Sequence, residues 1–326
     1  MSDIAPSCWI LSDGTAGMEA QAVGLALAMG LTPVIKSIRP RGLLRLSPSL
    51  GALPGFSPAA GGDSLAPPYP ALSITCGRRH AGASIALKRQ SGGAVHTIHI
   101  QDPRISPALF DSLVVPEHDP MRGPNVISTT GSLNRINDAL LKDEAARFAD
   151  QVTNLPKPRA AVNLGGDTQQ YQVDAAMAER VVASLMGLLE SLGCGLMITT
   201  SRRTGRPLMD ALAPLSRRPD TLVWTGDGPN PYLGFLGLAD AIIVTADSIN
   251  MVSEACSTGK PVHILPLGKE PRRRAAFLDT VRANDLARDF KGTLENWHPK
   301  PLRETERAAA LLVEQLRHKG ILAPNT

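Results

Sequence analysis

Residues 239–266 read ADAIIVTADSINMVSEACSTGKPVHILP, and the order of residue types spells a strand, a helix and a second strand. The run 241–245, AIIVT, has the length and β-branching of a strand buried on both faces. Asp247, Ser248 and Asn250 follow as small polar residues able to cap a helix. An amphipathic segment through Met251, Val252 and Ala255 runs to Gly259, with Lys260 and Pro261 as stop signals. Residues 262–265 supply the next strand. A strand that opens onto a helix N-terminus presents free backbone N–H groups and the positive end of the helix dipole, a combination that favours anions. Glu254, one turn into the helix, is placed to accept hydrogen bonds from sugar hydroxyls.

The same rhythm extends in both directions. In the first half, strands are predicted at 8–11, 34–38, 72–75, 95–100, 113–115 and 126–128, with helices at 18–29, 81–89 and 132–149. Residues 51–70, GALPGFSPAAGGDSLAPPYP, carry too much Pro and Gly for a regular element and read as a loop. Residues 153–159, TNLPKPR, read as a linker, after which strands at 160–164, 196–199, 222–224, 241–245 and 262–265 and a helix at 175–192 restart the pattern. Alternating strands and helices imply an α/β protein with two doubly wound, parallel-sheet domains. The expected division is 1–152, then 159–300, with a charged helix in 301–326 able to pack on either. Such sheets bind ligands beyond their strand C-termini, so the cleft between the two domains is the expected site.

At 326 residues the chain can bury two ordinary cores. Its 43% hydrophobic and 20% charged content is that of a water-soluble globular protein. Aromatic content of 4% argues against base-stacking platforms, and a net charge of +4 is too mild to indicate nucleic-acid binding. Cys8, Cys76, Cys194 and Cys256 form no C-x-x-C pair and read as buried thiols in a reducing compartment. The N-terminus, MSDIAPSC, shows no secretory signal, and no apolar run approaches the roughly 18 residues that span a bilayer. A cytoplasmic location is therefore expected. The basic stretch 36–46, KSIRPRGLLRL, reads either as a solvated loop or as a peripheral contact with an anionic membrane at its inner face.

Candidate site residues sit at the strand ends. Residues 12–17, SDGTAG, place Asp13, Gly14 and Gly17 between the first strand and first helix, with Glu19 just inside that helix. The glycines allow a tight turn or a close ligand approach, but G-x-G-x-x-G is absent. The corresponding loops of the second half are Gly165-Gly166-Asp167-Thr168 and Ser201-Arg202-Arg203-Thr204-Gly205. The first brings backbone amides to a phosphate, and the second adds guanidinium forks that match phosphate oxygens. His80, in CGRRH, and Asp102, in QDPR, follow strands of the first half, although Asp102 also suits a simple turn. His96 and His99 have opposite parity on one strand, so at least one should only pack. Neither a metal-ligand motif nor a G-x-S-x-G nucleophile elbow is present, and no metal or cofactor is expected.

Taken in order, SDGTAGMEAQAVGLA, TCGRRHAGASIAL, IHIQDPR, VVPEHDPMRGPNVISTTGSLNRI, VNLGGDT, TTSRRTG and ADSINMVSEACSTGKPVHI resemble the bacterial relatives of the plant mitochondrial-fission factor called the elongated-mitochondria protein. The resemblance runs from about residue 12 to 267. That family is similar to GT-B glycosyltransferases, which implies two Rossmann-like domains, a first for the acceptor and a second for the nucleotide donor. It further implies that Glu254 binds ribose, that Ser248, Ile249 and Asn250 lie near the diphosphate, and that Arg202 and Arg203 neutralise it. A metal-independent, inverting glycosyltransferase using a nucleotide-diphosphate sugar follows, with an acceptor that is open and could be membrane-associated. The general base is left open among Asp13, Glu19, His80 and Asp102, because Met18 stands where lipid-linked sugar transferases of similar fold carry a histidine. The competing reading is a non-catalytic nucleotide- or partner-binding scaffold, since the plant family is linked to dynamin-like recruitment in organelle division. A hydride-using epimerase or dehydrogenase ranks third: four residues after Tyr69, Tyr171 and Tyr232 stand Ser73, Ala175 and Leu236, not lysine.

Overall fold

The computed structural model describes residues 7–39, 48–53, 61–168 and 172–323. The chain divides into two compact units, Met1–Arg135 with Arg303–Thr326, and Ile136–Leu302. The first unit alternates β1 (Cys8–Ser12), α1 (Ala16–Ala28), β2 (Pro33–Ser37), β3 (Leu72–Cys76), α2 (Arg78–Gln90), β4 (His96–Ile100), β5 (Ser112–Pro116) and β6 (Val126–Thr129). Its strands are all parallel, in the order β2-β1-β3-β4-β5-β6. The chain leaves β1 in one direction for β2 and returns on the other side for β3, so the topological switch lies between β1 and β3. Strands β1, β3, β4 and β5 are buried throughout, as expected of the inner strands of a parallel sheet.

The second unit contains α3 (Asp138–Phe148), β7 (Arg159–Leu164), α4 (Ala175–Leu192), β8 (Gly195–Thr200), α5 (Arg206–Ala211), α6 (Ala213–Ser216), β9 (Thr221–Trp224), α7 (Tyr232–Leu238), β10 (Ala241–Thr245), α8 (Ile249–Ser257), β11 (Val262–Leu265), α9 (Arg272–Ala283) and β12 (Arg288–Asp289). Its parallel order is β12-β11-β10-β7-β8-β9, the mononucleotide-pair arrangement with its switch between β7 and β10. Helix α4 shows how directly sequence sets an end: Asp174 caps its start by accepting from the Met177 N–H, and Gly193 closes it at φ 63°. Strand β12 and helices α5, α6, α7 and α9 complete the pattern and were not part of the sequence reading.

The expected boundary near 152–159 moves to 135/136, because α3 belongs to the second unit. Leu141 and Phe148 of α3 pack with Phe235 and Leu236 of α7, and Gly234 and Gly237 let the helices close: a Cβ on Gly234 would lie 2.5 Å from the Phe148 ring. The Pro-rich segment 153–159 is a packed turn instead of a linker. Leu155 is buried, and the Arg159 side chain donates from Nε to its carbonyl. The last helix, α10 (Glu304–His318), settles on the first unit, where Ala308, Leu312 and Leu316 join the core under α1. Thr305 locks it there by exchanging hydrogen bonds with the Asn134 backbone at 2.8 and 2.9 Å. Both His96 and His99 pack: each is buried, bonded to Ser112 and Thr75 respectively. Lys36 lies 4.8 Å over the Trp9 ring, while residues 40–46 of the basic stretch lie outside the described residues. Within the described residues no helix is long and apolar enough to cross a membrane.

Candidate functional site

At the β7/β10 switch of the second unit, three loops interlock. Gly165 N–H donates to Thr245 Oγ1 (2.7 Å), and Gly166 N–H donates to Asp247 Oδ2 (3.2 Å). A Cβ on Gly165 would sit 2.1 Å from the Asp247 carboxylate oxygens, and one on Gly166 would sit 2.0 Å from the Arg203 carbonyl. These glycines are therefore required for loop-to-loop packing, and their amides are already engaged within the fold. Their expected role as phosphate-binding amides is corrected accordingly. Thr204 is likewise a staple: its Oγ1 accepts from Ser201 N–H (2.8 Å) and donates to the Gly165 carbonyl (2.6 Å).

This packing presents Arg203. Its Nη2 lies 2.6 Å from Oδ2 of Asp247, whose side chain is wholly buried, and its Nη1 donates to the Asp167 carbonyl (3.3 Å). The guanidinium faces a hollow of ≈ 360 Å³ bounded also by Asp247, Ser248, Asn250, Arg273 and Arg274. Two helices begin at this hollow. Ser248 caps α8, its Oγ accepting from Met251 N–H (3.3 Å), and α9 starts directly after Pro271. Converging helix N-termini and arginines make a strongly anion-attracting concavity. Arg274 is anchored by Glu270 at 2.5 Å. Burial raises the Glu270 carboxyl above the usual carboxylate range, against the pull of Arg274 and with help from the charge of Asp247.

Three expectations for this unit need adjustment. Arg202 is exposed and does not line the hollow. Glu254 does not line it either; half-buried farther along α8, its Oε2 accepts from Tyr232 Oη at 2.6 Å. Burial, and then the Glu254 charge, push the Tyr232 phenol well above its ordinary value, so it remains a proton donor. Sequence reasoning offered Asp247, Ser248 and Asn250 together as caps; Ser248 holds that role, and Asp247 instead anchors Arg203. It missed Arg273 and Arg274 altogether. Their signal was legible: EPRRR, residues 270–274, puts three cations in a helix's first turn, where the dipole disfavours them unless an anion is bound.

The β1/β3 switch of the first unit sets carboxylates in the turn itself. Gly14 turns at φ +80° with open space around its Cα, and its N–H donates to Ser12 Oγ (3.0 Å). Asp13 Oδ1 accepts from Thr15 N–H (3.0 Å), and Ser12 Oγ donates to Glu19 Oε2 (2.7 Å). His80 is 1% exposed; its Nδ1 donates to the Cys76 carbonyl (2.5 Å), while its Nε2 stands 3.2 Å from Asp13 Oδ1 without hydrogen-bond alignment. Arg79 lies 3.6 Å from the other Asp13 oxygen. Burial would raise the Asp13 carboxyl, but the Thr15 hydrogen bonds and the charges of His80 and Arg79 outweigh it and hold Asp13 below its ordinary value. Gly17 lies inside α1, its carbonyl accepting from Gln21 Nε2 (3.2 Å). Gly14 and Gly17 thus shape a carboxylate-filled turn, not a phosphate loop. Met18 packs on Gly77, whose Cβ would lie 2.7 Å from the Met18 sulfur. Asp102 is not part of this cluster; its Oδ1 accepts from Arg104 N–H (2.6 Å) and closes a local turn.

Two parallel six-stranded, doubly wound units, one with an anion hollow at its switch point, define a GT-B-like protein. Solved structures agree on that fold. UDP-GlcNAc 2-epimerase from Methanocaldococcus jannaschii, in complex with UDP-GlcNAc and UDP, superposes with a TM-score of 0.56 at 13% identity, over 94% of this chain and 99% of that one. The S. aureus MnaA–UDP structure gives 0.55 at 12% identity, over 98% and 99%. At such identities the likeness concerns the fold alone. The family is given by sequence: the mitochondrial fission ELM1 family model matches residues 16–316, and the chain belongs to that family. The mitochondrial fission protein ELM1 of Arabidopsis thaliana is 31% identical over 278 residues, 77% of this chain. The match spans 65% of the length of the Arabidopsis protein. A protein of Rickettsia prowazekii is 27% identical over 282 residues, 74% of this chain and 79% of its own.

Proposed function

We propose that the second unit binds a nucleotide-diphosphate sugar and that the chain uses it as donor in inverting, metal-independent glycosyl transfer. The observation that carries this reading is the hollow in which Arg203, Arg273 and Arg274 meet the N-termini of α8 and α9. Guanidinium groups and helix dipoles are preorganised to stabilise a departing diphosphate, the main electrostatic demand of such a reaction. Glu254, on the same helix and oriented by Tyr232, is the candidate for the ribose hydroxyls. Support also comes from solved structures of this fold that hold UDP or UDP-GlcNAc.

The test is calorimetric titration with UDP, GDP, CMP and NAD. A uridine or guanosine diphosphate should bind, and Arg203→Ala and Arg273→Ala should each weaken it. Absence of binding by every nucleotide, or binding indifferent to both substitutions, would overturn the assignment.

One observation favours the second reading, a nucleotide- or partner-binding scaffold. Asp13 is held ionised by its neighbours, which makes it a weak base, and His80 is buried behind it. Nucleotide binding without release of sugar from any donor in a panel would select the scaffold.

A further inference from the structure

Sharing no residue with the hollow, the second unit has a larger cavity of ≈ 490 Å³. It lies at the carboxyl end of β11, next to the segment that follows β12 and against one side of α4. The size falls within the range of small-molecule sites, roughly 300–1,000 Å³. Its floor is apolar: Val181 of α4, Leu265 and Leu267 at the end of β11, and Phe290 just past β12 are all buried side chains that border it. Its mouth carries Arg180 and Lys291, both exposed.

The cations at that mouth are not tied down. Among the described residues no carboxylate borders the cavity, and neither Arg180 nor Lys291 forms a salt bridge. The acidic group whose titration Lys291 influences, Glu295, is already held by Arg288 at 2.7 Å. Elsewhere on this unit the arginines of the hollow have carboxylate anchors, as in Arg203–Asp247 and Arg274–Glu270. Two unanchored cations above an apolar floor call for a ligand that is anionic at one end and apolar at the other. A phosphate monoester, with nearly two charges at neutral pH, matches two separate cations better than a carboxylate does.

We propose that this cavity is a second ligand site, for an organic phosphate monoester with an apolar chain. Arg180 and Lys291 take the phosphate, and Val181, Leu265, Leu267 and Phe290 take the chain. The inference is independent of the nucleotide reading.

Calorimetry with dodecyl phosphate, kept monomeric, tests it on the full chain. Saturable one-to-one binding is expected, with inorganic phosphate and dodecanol each weaker by roughly tenfold or more, since each lacks one half of the match. Arg180→Glu combined with Lys291→Glu, at two exposed positions that should leave the circular dichroism unchanged, should also weaken it roughly tenfold or more. Arg203→Ala should leave it unaltered. Sedimentation with phosphatidic acid vesicles distinguishes the sources: variant-sensitive co-sedimentation assigns a membrane lipid, and monomer binding alone assigns a soluble ester. No saturable binding of dodecyl phosphate, binding that survives the double substitution, or binding that UDP displaces and Arg203→Ala abolishes would each overturn the proposal.

Discussion

The two switch-point loops of this chain look alike in sequence and differ in what they can hold. Both follow a buried strand, both are rich in glycine, and both precede a helix. In the first unit Asp13 and Glu19 fill the turn with carboxylates. In the second, one buried carboxylate, Asp247, orients an arginine towards a hollow that also collects Arg273 and Arg274. Glycine pattern sets the backbone path, whereas the sign of the surrounding side chains sets the ligand. An anion approaching the first loop meets the Asp13 and Glu19 carboxylates, with Arg79 set against Asp13; one approaching the second meets guanidinium and helix dipole together.

The sharpest way to break this comparison is through the glycines. Gly166→Ala should destabilise the second unit by about 3 kcal/mol or more, because the new Cβ collides with backbone at 2.0 Å. Gly14→Ala meets nothing within 4 Å and should cost only the left-handed backbone strain, about 1–2 kcal/mol. Urea unfolding of both variants checks the contrast, and equal losses would erase it.

Next in size is the charge test. Arg203→Ala should weaken nucleotide diphosphate binding by about 2–3 kcal/mol in titration calorimetry, while Arg79→Ala and Asp13→Asn leave it within about twofold. A comparable loss in Asp13→Asn would show that the first loop handles the same ligand.

A third effect is a loss of stability of the first unit in acid. Burial lowers His99 to about 3 and His96 to about 4, so both stay neutral in the folded first unit. Below about 6.5 the unfolded chain takes up protons that the folded unit refuses. Stability is therefore full above that pH and is lost as pH falls towards 4, by about 2 kcal/mol per histidine at pH 5. His99→Gln should flatten part of that slope when unfolding is followed by amide exchange in the first unit. The smallest effect is Tyr232→Phe, which removes one hydrogen bond to Glu254 and should weaken nucleotide affinity by about 1 kcal/mol.

Much of the fold was legible because it rests on local rules. Residues 175–192 announce their helix by an Asp cap and a terminal glycine, and the observed α4 has the same limits. Buried strands such as AIIVT need no partner to be recognised. The unit boundary was not legible, since TNLPKPR has the composition of a linker and the packing of a turn. What draws α3 into the second unit is its fit against Gly234 and Gly237, almost a hundred positions away in the chain. The candidate site divides the same way. Arg203 and Ser248 were readable from their place after a strand and before a helix. Asp247 was not, because Asp247, Ser248 and Asn250 all read as caps until Ser248 alone is seen to hold that role. Arg273 and Arg274 were visible as a violation of helix-dipole preference, a signal that only becomes useful once a second helix start is known to point at the same place.

Helix α10 has a temporal consequence. The ribosome completes residues 136–302, and with them every strand of the second sheet, before the segment that seals the first sheet's α1 layer has been synthesised. The earlier-made lobe can therefore cover that apolar flank only after the whole of the later-made one has been synthesised.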